Sequence, residues 1–270
     1  MRRAIALLRL GITQTLGRFR TADGRRLAMT TLGVALAVAL MVSVTGVAVG
    51  LAAGSTVQSE GVDYWIVPEG GSASSIAVSV EGPRLGAVHS TTETITADDR
   101  VTFATPVQLQ IMRVQNGNTS EYVLLAGIIA PDSSEEVLGL PTDALTVGDP
   151  HYADGAYDGP WTGEAVLSQA AADLLEAEAG TSLRLAETNR SVSVTTVADG
   201  DVSTGVGPVP VALVHLSELQ TITGTAPGDQ ADQILVSTNN PGVESLLANV
   251  YPETEVLTKS GVGGTDISSS

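Results

Sequence analysis

The sequence contains no cysteine and only one lysine, Lys259. Disulfide bonds therefore cannot stabilise the fold, and thiol catalysis and cysteine-bound metals are excluded. The chain carries 30 acidic and 13 basic residues, which gives a formal net charge of −17 at pH 7. Because so acidic a surface repels phosphate groups, we exclude nucleic acid as a partner.

Motifs typical of common active sites are also missing. The chain has no G-x-x-x-x-G-K-[ST] sequence for binding ATP in a P-loop and no G-x-S-x-G sequence around a nucleophilic serine. No single serine stands out among the many in the chain. We therefore predict that the chain is not an enzyme and has no catalytic residues, cofactor or metal ion.

Three histidines are the remaining candidates for chemistry: His89, His151 and His215. His151 lies in the sequence DPHYADGAYDG, whose aspartates could gather a cation around it. These aspartates are Asp149, Asp154 and Asp158. Loops rich in Asp and Gly are more often simply solvated, so we do not predict a metal site here. His215 follows a predicted strand and should be either packed or exposed at its end.

An uncharged apolar stretch at residues 27–54 divides the chain. As a helix it would be roughly 40 Å long, enough to cross a bilayer with some tilt, and we predict a transmembrane helix over residues 27–56. Residues 1–26 carry a net charge of +6 and residues 57–270 a net charge of −23. This asymmetry predicts a cell-membrane protein with a cytoplasmic N-terminus and an extracytoplasmic C-terminal part.

A cleaved signal peptide is the alternative interpretation of this stretch. Signal peptides have a short basic start and an apolar region of about 7–15 residues. Here both segments are too long, although residues 51–54 (LAAG) could pass as a cleavage site. A retained anchor in the lipid bilayer is therefore the better interpretation.

The segment before the anchor is predicted to be a basic amphipathic helix over residues 3–20, within a cytoplasmic segment of residues 1–26. Its apolar residues recur at helical spacing: Ile5, Leu8, Ile12, Leu16 and Phe19. Such helices usually lie in the membrane interface. The same helix could present a docking surface to a cytoplasmic partner, and the two roles are compatible.

Gly46, Gly50 and Gly54 recur every four residues along the predicted transmembrane helix. Small residues at this spacing let another helix approach closely. The alternative is that membrane helices are simply rich in glycine and alanine. A packing partner would be another copy, another subunit or a missing part of the gene product, because the chain has no second apolar run.

The composition of the outer part resembles that of proteins from salt-accumulating archaea. Acidic residues are abundant, lysine is nearly absent, and alanine, glycine, valine and threonine are common. This resemblance predicts an acidic halophilic protein whose outer domain is suited to strong brine.

Short periodic runs beyond the anchor predict an α+β domain. Strands are predicted at residues 62–67, 100–114, 122–129, 181–185, 191–197, 208–213, 233–237 and 253–257. Helices are predicted at residues 83–95, 166–175, 216–221 and 242–250. Residues 131–160 are predicted to be a polar loop, and residues 261–270 a flexible tail.

Local signals refine these predictions. Turns are predicted at residues 116–119 and 187–190, and Gly180 is predicted to cap the helix over residues 166–175. Pro106 inside a strand predicts a bulge or an edge position. Asn118 and Asn189 fit the N-glycosylation acceptor pattern and fall in predicted turns.

The order of these segments resembles ABC-transporter permeases of the MacB, FtsX and LolE type. A basic helix and a spanning helix are followed by VDYWIVP at residues 62–68. The sequence GEAVLSQAAADLLEAEAGTSLRL at residues 163–185 is similar to an inserted segment of that family. The sequences VPVALVHLSELQTITG and DQILVS, at residues 209–224 and 232–237, are similar to its return segment.

The resemblance implies a MacB-like core domain over residues 57–260 with two lobes. A porter-like lobe would take residues 60–115 and 210–260, and an inserted Sabre-like lobe would take residues 116–209. It also implies a homodimer, or a pair with a second permease chain, that works with a separate ATPase subunit. Such permeases export a substrate or transmit the ATPase cycle mechanically to the outer domain.

One feature departs from the family pattern. The family normally has three more spanning helices after this domain, and the sequence stops at Ser270. A truncated product or a split gene would explain the difference. The alternative function is a single-pass anchored domain that binds an extracytoplasmic partner without ATP coupling.

The glycine spacing generates a test in the membrane. Gly50→Leu adds a side chain where two helix backbones would touch, while leucine still favours insertion. We expect cross-linking to another copy or to a partner subunit to fall. Val47→Leu, which is off the glycine face, should cross-link like the unmodified chain. Equal cross-linking in the two variants would mean that the glycines reflect composition alone.

Overall fold

The computed structural model describes residues 61–68, 83–186, 188–199, 202–204, 207–251 and 254–258. These residues belong to one compact unit, Gly54–Ser270, of the two into which the chain divides. The predicted amphipathic helix, the transmembrane helix with Gly46, Gly50 and Gly54, and the tail lie outside the described residues. Among the residues described, no helix has the length and apolar character needed to span a bilayer.

Nine of the thirteen strands in the described part form one mixed sheet. The strands are β1 (Tyr64–Pro68), β2 (Val101–Asn116), β3 (Thr119–Ile128), β4 (Glu136–Val137), β5 (Leu140–Pro141), β6 (Glu164–Ser168), β7 (Ser182–Leu185), β8 (Ser191–Ala198), β9 (Val202–Thr204), β10 (Gly207–Val209), β11 (Val211–His215), β12 (Gln233–Thr238) and β13 (Thr254–Thr258). The sheet order is β13-β1-β12-β2-β3-β11-β6-β8-β7. β4 pairs with β5 and β9 with β10 in two small hairpins.

A further pairing between β2 and β7 closes part of this sheet into a ring of six strands, β2-β3-β11-β6-β8-β7. The ring can close because β2 is 16 residues long, so that it pairs with β12 near its start and with β7 near its end. Its first half pairs with β12 and its second half with β3, and Val107 is in register with both Gln233 and Ile128. Val114 and Gln115 then pair with β7.

Four α-helices lie in the described part: α1 (Val88–Thr96), α2 (Gln169–Leu175), α3 (Leu216–Thr223) and α4 (Glu244–Val250). The start of α1 corrects the prediction of a helix from residue 83. Leu85 instead forms an isolated bridge with Ala231, and Ala87 adopts a left-handed conformation before the helix. The proline at position 83 was therefore a poor marker of the helix start.

The helix predicted over residues 166–175 is only partly correct. Val166 and Leu167 lie in β6, and the helix begins at Gln169 because the Ser168 hydroxyl accepts a hydrogen bond from the Ala171 N–H at 3.2 Å. The helix ends at Glu176, which is left-handed, so the prediction that Gly180 caps it was wrong. A continuous apolar run fits a buried strand as well as a helix, and the serine cap decides between them.

The other predicted strands are present, except that residues 208–213 span the end of β10 and most of β11 instead of forming one strand, and β4, β5 and β9 were not predicted. β2 and β3 are joined through Gly117 and Asn118, and β7 and β8 form the predicted hairpin. Pro106 is in register with Ile234 of β12 and lies one residue before the pairing with β3 begins, in an interior strand, so the prediction of a bulge or an edge at this residue was wrong. The register shift in the neighbouring pairing lies between Ser237 and Thr238 instead. The described part confirms a fold of mixed α and β elements, while its division into two lobes remains a prediction.

The buried side chains form three groups. The first covers one face of the central strands, and the loop over residues 131–160 contributes to it although we predicted a polar loop. Its buried apolar side chains include Val137, Leu138, Leu140 and Leu145. The second group lies within the six-strand ring, to which all six strands contribute, and Ala171 and Leu175 of α2 pack against it. The third joins β1 and β12 to α1 and α4.

Gly127 in β3 sets how closely α3 approaches the sheet. A Cβ atom at this position would lie 3.0 Å from Leu219 Cδ2 and 3.2 Å from Leu216 Cα. These distances are shorter than ordinary contacts between carbon atoms. The absence of a side chain at Gly127 therefore lets Leu219 reach the interior of the ring.

We predict that Gly127→Ala destabilises the domain by about 1–3 kcal/mol, because the added methyl group overpacks this contact. Unfolding of the full-length chain in mild detergent can be followed by the fluorescence of Trp65, which is 3% exposed. Leu219→Ala removes part of the clash, so the double variant should lose less stability than the two single losses combined. Additive losses would show that the methyl group does not meet Leu219.

Candidate functional site

His89 near the start of α1 lies between two carboxylates and is 4% exposed. Its Nδ1 atom is 2.6 Å from Asp229 Oδ1, and its Nε2 atom is 3.0 Å from Asp149 Oδ2. An imidazole can donate from both nitrogens only when it is protonated. The geometry therefore holds a buried imidazolium with an acceptor at each end.

Each carboxylate also caps the N-terminal end of a helix. The His89 backbone N–H donates to Asp229 Oδ2 at 2.9 Å, in the first turn of α1. The Ser217 N–H, in the first turn of α3, donates to Asp149 Oδ2 at 2.8 Å, and the Ser217 hydroxyl donates to Asp149 Oδ1. Negative charge is favourable at helix N-termini. The first turns of α1 and α3 are thus linked through the two carboxylates and the imidazolium ring of His89 between them.

Aromatic and amide groups complete this arrangement. The Tyr152 ring stacks on the His89 ring with 3.7 Å between centroids, and the Tyr157 ring meets it edge-on at 6.2 Å. The Tyr157 hydroxyl lies 2.8 Å from Gln220 Oε1 and 3.1 Å from Asp229 Oδ1. We call His89, Asp149, Asp229, Tyr152 and Tyr157 the His89 cluster.

The carboxylates control the protonation of the ring. Burial by itself would lower the pKa of His89, but its hydrogen bonds to Asp149 and Asp229 outweigh burial and raise the pKa from 6.5 to about 9. Burial would raise the pKa of Asp229, yet the hydrogen bonds from His89 lower it overall. Burial and the neighbouring Asp229 both raise the pKa of Tyr157.

Two further buried polar contacts lie close to the cluster. His215 is fully buried, and its Nε2 atom is 3.2 Å from Glu164 Oε2. Glu164 also accepts hydrogen bonds from the N–H and the hydroxyl of Thr146, at 2.7 and 2.9 Å. Glu218 is 2% exposed, and its Oε1 atom accepts bonds from the N–H groups of Thr162 and Gly163. These contacts fix α3 and β11 to the loops before β6.

The Ser217 hydroxyl donates to the Asp149 carboxylate, which is also bound to His89. The cluster joins α1, the loop at residues 148–158, and the start and end of the segment at residues 215–230. Sequence reasoning did not find this cluster, because Asp149 and Asp229 are 60 and 140 residues away from His89 along the chain.

The histidine and aspartates of the DPHYADGAYDG loop do not meet. Asp149 belongs to the His89 cluster, whereas the Nδ1 atom of His151 lies 2.8 Å from the Gly159 carbonyl oxygen. Asp154 and Asp158 are exposed. No group of three or more possible ligands in the described residues is arranged to hold a metal ion.

His215 and the two predicted glycosylation sites, Asn118 and Asn189, lie in environments that the sequence predicted. His215 is packed, which was one of its two predicted environments. Asn118 and Asn189 are both exposed in turns between strands. Glycan attachment at either position remains a prediction.

No protein-family model and no curated protein matches the chain. Solved structures do match. The extracellular domain of the noncanonic ABC-type transporter YknZ from Gram-positive bacteria is similar at 12% identity, with a TM-score of 0.45, over 73% of this chain and 99% of that one. The periplasmic region of MacB from Actinobacillus actinomycetemcomitans is similar at 14% identity, with a TM-score of 0.47, over 73% and 89%.

A domain of a putative permease protein from Porphyromonas gingivalis is similar at 9% identity, with a TM-score of 0.39, over 72% of this chain and 86% of that one. The first of these three structures is a domain of an ABC-type transporter and the third a domain of a putative permease. All three TM-scores lie below 0.5, which is too low to assign this chain to a family.

The His89 cluster generates a pH test. His89 keeps its proton up to about pH 9 in the folded domain but loses it near pH 6.5 when unfolded. Its stabilisation is therefore complete below pH 6.5 and is lost as the pH rises through 9. The rise in pKa corresponds to about 3 kcal/mol. We predict a fall of this order in the free energy of unfolding between pH 6.5 and 9.5, measured by chemical denaturation.

His89→Gln should remove most of that pH dependence, because glutamine keeps hydrogen-bonding groups without a titrating charge. His151→Gln is the matched control, since His151 is buried but forms no ion pair in the described structure. A His89→Gln variant with the same fall above pH 6.5 as the unmodified chain would contradict the assignment.

Proposed function

We propose that the chain is a permease subunit, or the N-terminal part of one, of an ABC transporter of the MacB and FtsX type. The described domain would lie outside the membrane and be anchored by the predicted helix over residues 27–56. A separate ATPase subunit would drive it, and two such chains, or this chain and a second permease chain, would work as a pair. The output is export of a substrate or mechanotransmission to an extracytoplasmic partner.

The observation that carries this proposal is the position of the two ends of the domain. β1 pairs along its whole length with β13, and Tyr64 is in register with Thr258. Register partners in antiparallel strands have Cα atoms about 4.5–5.5 Å apart. The chain therefore enters and leaves the domain at the same place, which suits a domain inserted between membrane segments.

Charge supports the same orientation. The basic N-terminal segment before the apolar stretch favours the cytoplasmic side, and the acidic segment after it forms the described domain. A separate ATPase would act on the cytoplasmic side, where that basic segment provides a contact surface.

The packing of the domain supports a mechanical role. β1 pairs with β12, and β12 pairs with β2, which also belongs to the six-strand ring. A displacement at β1 would therefore reach the ring through β12 and β2. The His89 cluster adds a second link between α1 and α3. A domain held together in this way can transmit a movement from its membrane end.

The absence of cysteine makes a direct test possible. Asn118→Cys places a single thiol at the exposed turn between β2 and β3, where a spin label can be attached. We expect ATP hydrolysis to copurify with the full-length chain from its native membrane. We also expect label-to-label distances within that complex to change when a non-hydrolysable ATP analogue replaces ADP.

Dilution with unlabelled chain should abolish these distances, because each copy carries one label. The proposal would be contradicted if the label-to-label distances did not change with the bound nucleotide. It would also be contradicted if the purified chain showed neither label pairs nor ATP hydrolysis. That result would favour the alternative of a single-pass anchored binding domain without ATP coupling.

A further inference from the structure

The outer face of the six-strand ring carries exposed side chains where β3, β2 and β7 lie side by side. The residues of these strands that point into the ring are buried and apolar, and they belong to the second buried group. Side chains alternate between the two faces of a strand. The residues that point outwards here include Ile111, Arg113, Gln115, Tyr122 and Arg184, and we call these five residues the arginine face.

Strand register brings these residues into one patch. Arg113 is in register with Tyr122, and Gln115 is in register with Arg184. Register partners have Cβ atoms about 4.5–5.5 Å apart, and diagonal neighbours such as Arg113 and Arg184 are about 7–8 Å apart. Tyr122 is 65% exposed and Ile111 is 50% exposed. The patch therefore combines two guanidinium groups with an exposed aromatic and an exposed aliphatic side chain.

The charge of this face is opposite to that of the domain around it. Residues 57–270 carry 29 acidic and six basic residues. Among the residues described, β3, β2, β7 and β8 add exposed serines to the arginine face but no carboxylate. Arg113 and Arg184 form no ion pair in the described structure, whereas Arg84 and Arg100 each do. The face is consequently a local positive patch that favours an anionic partner.

The arginine face is far from the point at which the chain enters the domain. Tyr64 is in register with Val236, and Val236 is in register with Ala104. Arg113 follows Ala104 on β2, and nine residues of extended strand span up to about 30 Å. A partner can therefore contact the face without approaching the entry point of the chain.

The residue types and the size of the face favour a segment of a protein. Tyrosine and arginine are enriched at the positions that dominate the energy of protein interfaces. A guanidinium group can also form two parallel hydrogen bonds with one carboxylate. Four strands about 4.8 Å apart make the face roughly 15 Å wide, which suits a short segment. A long polyanion such as nucleic acid would extend over the acidic surface around it.

A symmetric contact with a second copy of the chain is unfavourable at this face. In a two-fold symmetric interface the same surface patch meets itself. Arginines would then face arginines, and the arginine face has no carboxylate to neutralise them. Like charges placed opposite each other across an interface oppose association.

We propose that the arginine face docks an acidic segment of another protein. Arg113 and Arg184 bind carboxylates of that segment, and an apolar side chain of the segment packs against Tyr122 and Ile111. The proposal concerns binding alone, so it depends neither on ATP coupling nor on the pairing of two permease chains.

Three labelled peptides of equal length test the chemistry of the partner. They consist of three repeats of Asp-Glu-Leu, of Asn-Gln-Leu or of Asp-Glu-Ser. We expect fluorescence anisotropy with the full-length chain, in nanodiscs of uncharged lipid, to show the tightest binding for Asp-Glu-Leu. A chain with so acidic a surface repels this peptide everywhere except at a positive patch. If the uncharged Asn-Gln-Leu peptide bound as tightly, the proposal would be wrong.

Charge variants locate the binding. Arg113→Gln combined with Arg184→Gln should weaken binding of the Asp-Glu-Leu peptide roughly tenfold. Arg84→Gln combined with Arg100→Gln removes the same charge from positions outside the face, so it should leave the affinity nearly unchanged. A melting curve of each variant checks that the chain is folded. Equal weakening by the two pairs would show that only the net charge matters, and the proposal would fail.

Tyr122→Ser separates recognition of a protein segment from attraction of a simple anion. It leaves the charge unchanged but should weaken binding of the Asp-Glu-Leu peptide roughly fivefold. Val147→Ser is the control, because Val147 is 61% exposed and does not belong to the arginine face. Unchanged affinity in Tyr122→Ser, or an equal loss in the control, would overturn the proposal. Loss of self-association in the Arg113 and Arg184 double variant, without an effect on the peptide, would assign the face to a second copy instead.

Discussion

The ion pairs of His89 with Asp149 and Asp229 join α1, the loop at residues 148–158 and both ends of the segment at residues 215–230. An unpaired buried charge is very unfavourable, so each carboxylate depends on the imidazolium and the imidazolium depends on both. Each carboxylate also accepts hydrogen bonds from the first turn of a helix. The position of α1 relative to α3 is therefore specified by a set of groups that must all be present.

Such a cluster does not necessarily add much to the net stability. The desolvation of one imidazole and two carboxylates opposes the attraction between them. A well-packed apolar cluster would avoid that penalty but would tolerate several arrangements. Fixed donors and acceptors at 2.6–3.0 Å accept only one. We therefore attribute to the His89 cluster the specificity with which α1 docks, and to the apolar groups around it most of the stability.

The sheet continues without interruption across the two parts of the domain on either side of Val107. β2 leaves β12 and joins β3 at Val107, earlier in the strand than the lobe boundary predicted at residues 115 and 116. A strand that is shared in this way cannot bend easily without breaking hydrogen bonds on one side. The parts on either side of Val107 are consequently coupled through a continuous backbone and not through a flexible linker.

Most strands of the nine-stranded sheet were predictable because their signals are local. Alternation along β8, the continuous apolar run of β3 and the Asn-Gly turn after β2 each require only neighbouring residues. The boundary between β6 and α2 depends on a hydrogen bond from Ala171 to Ser168, which an apolar pattern does not reveal. The partners of His89 are 60 and 140 residues away, and no spacing rule connects them. Only the folded chain brings them together.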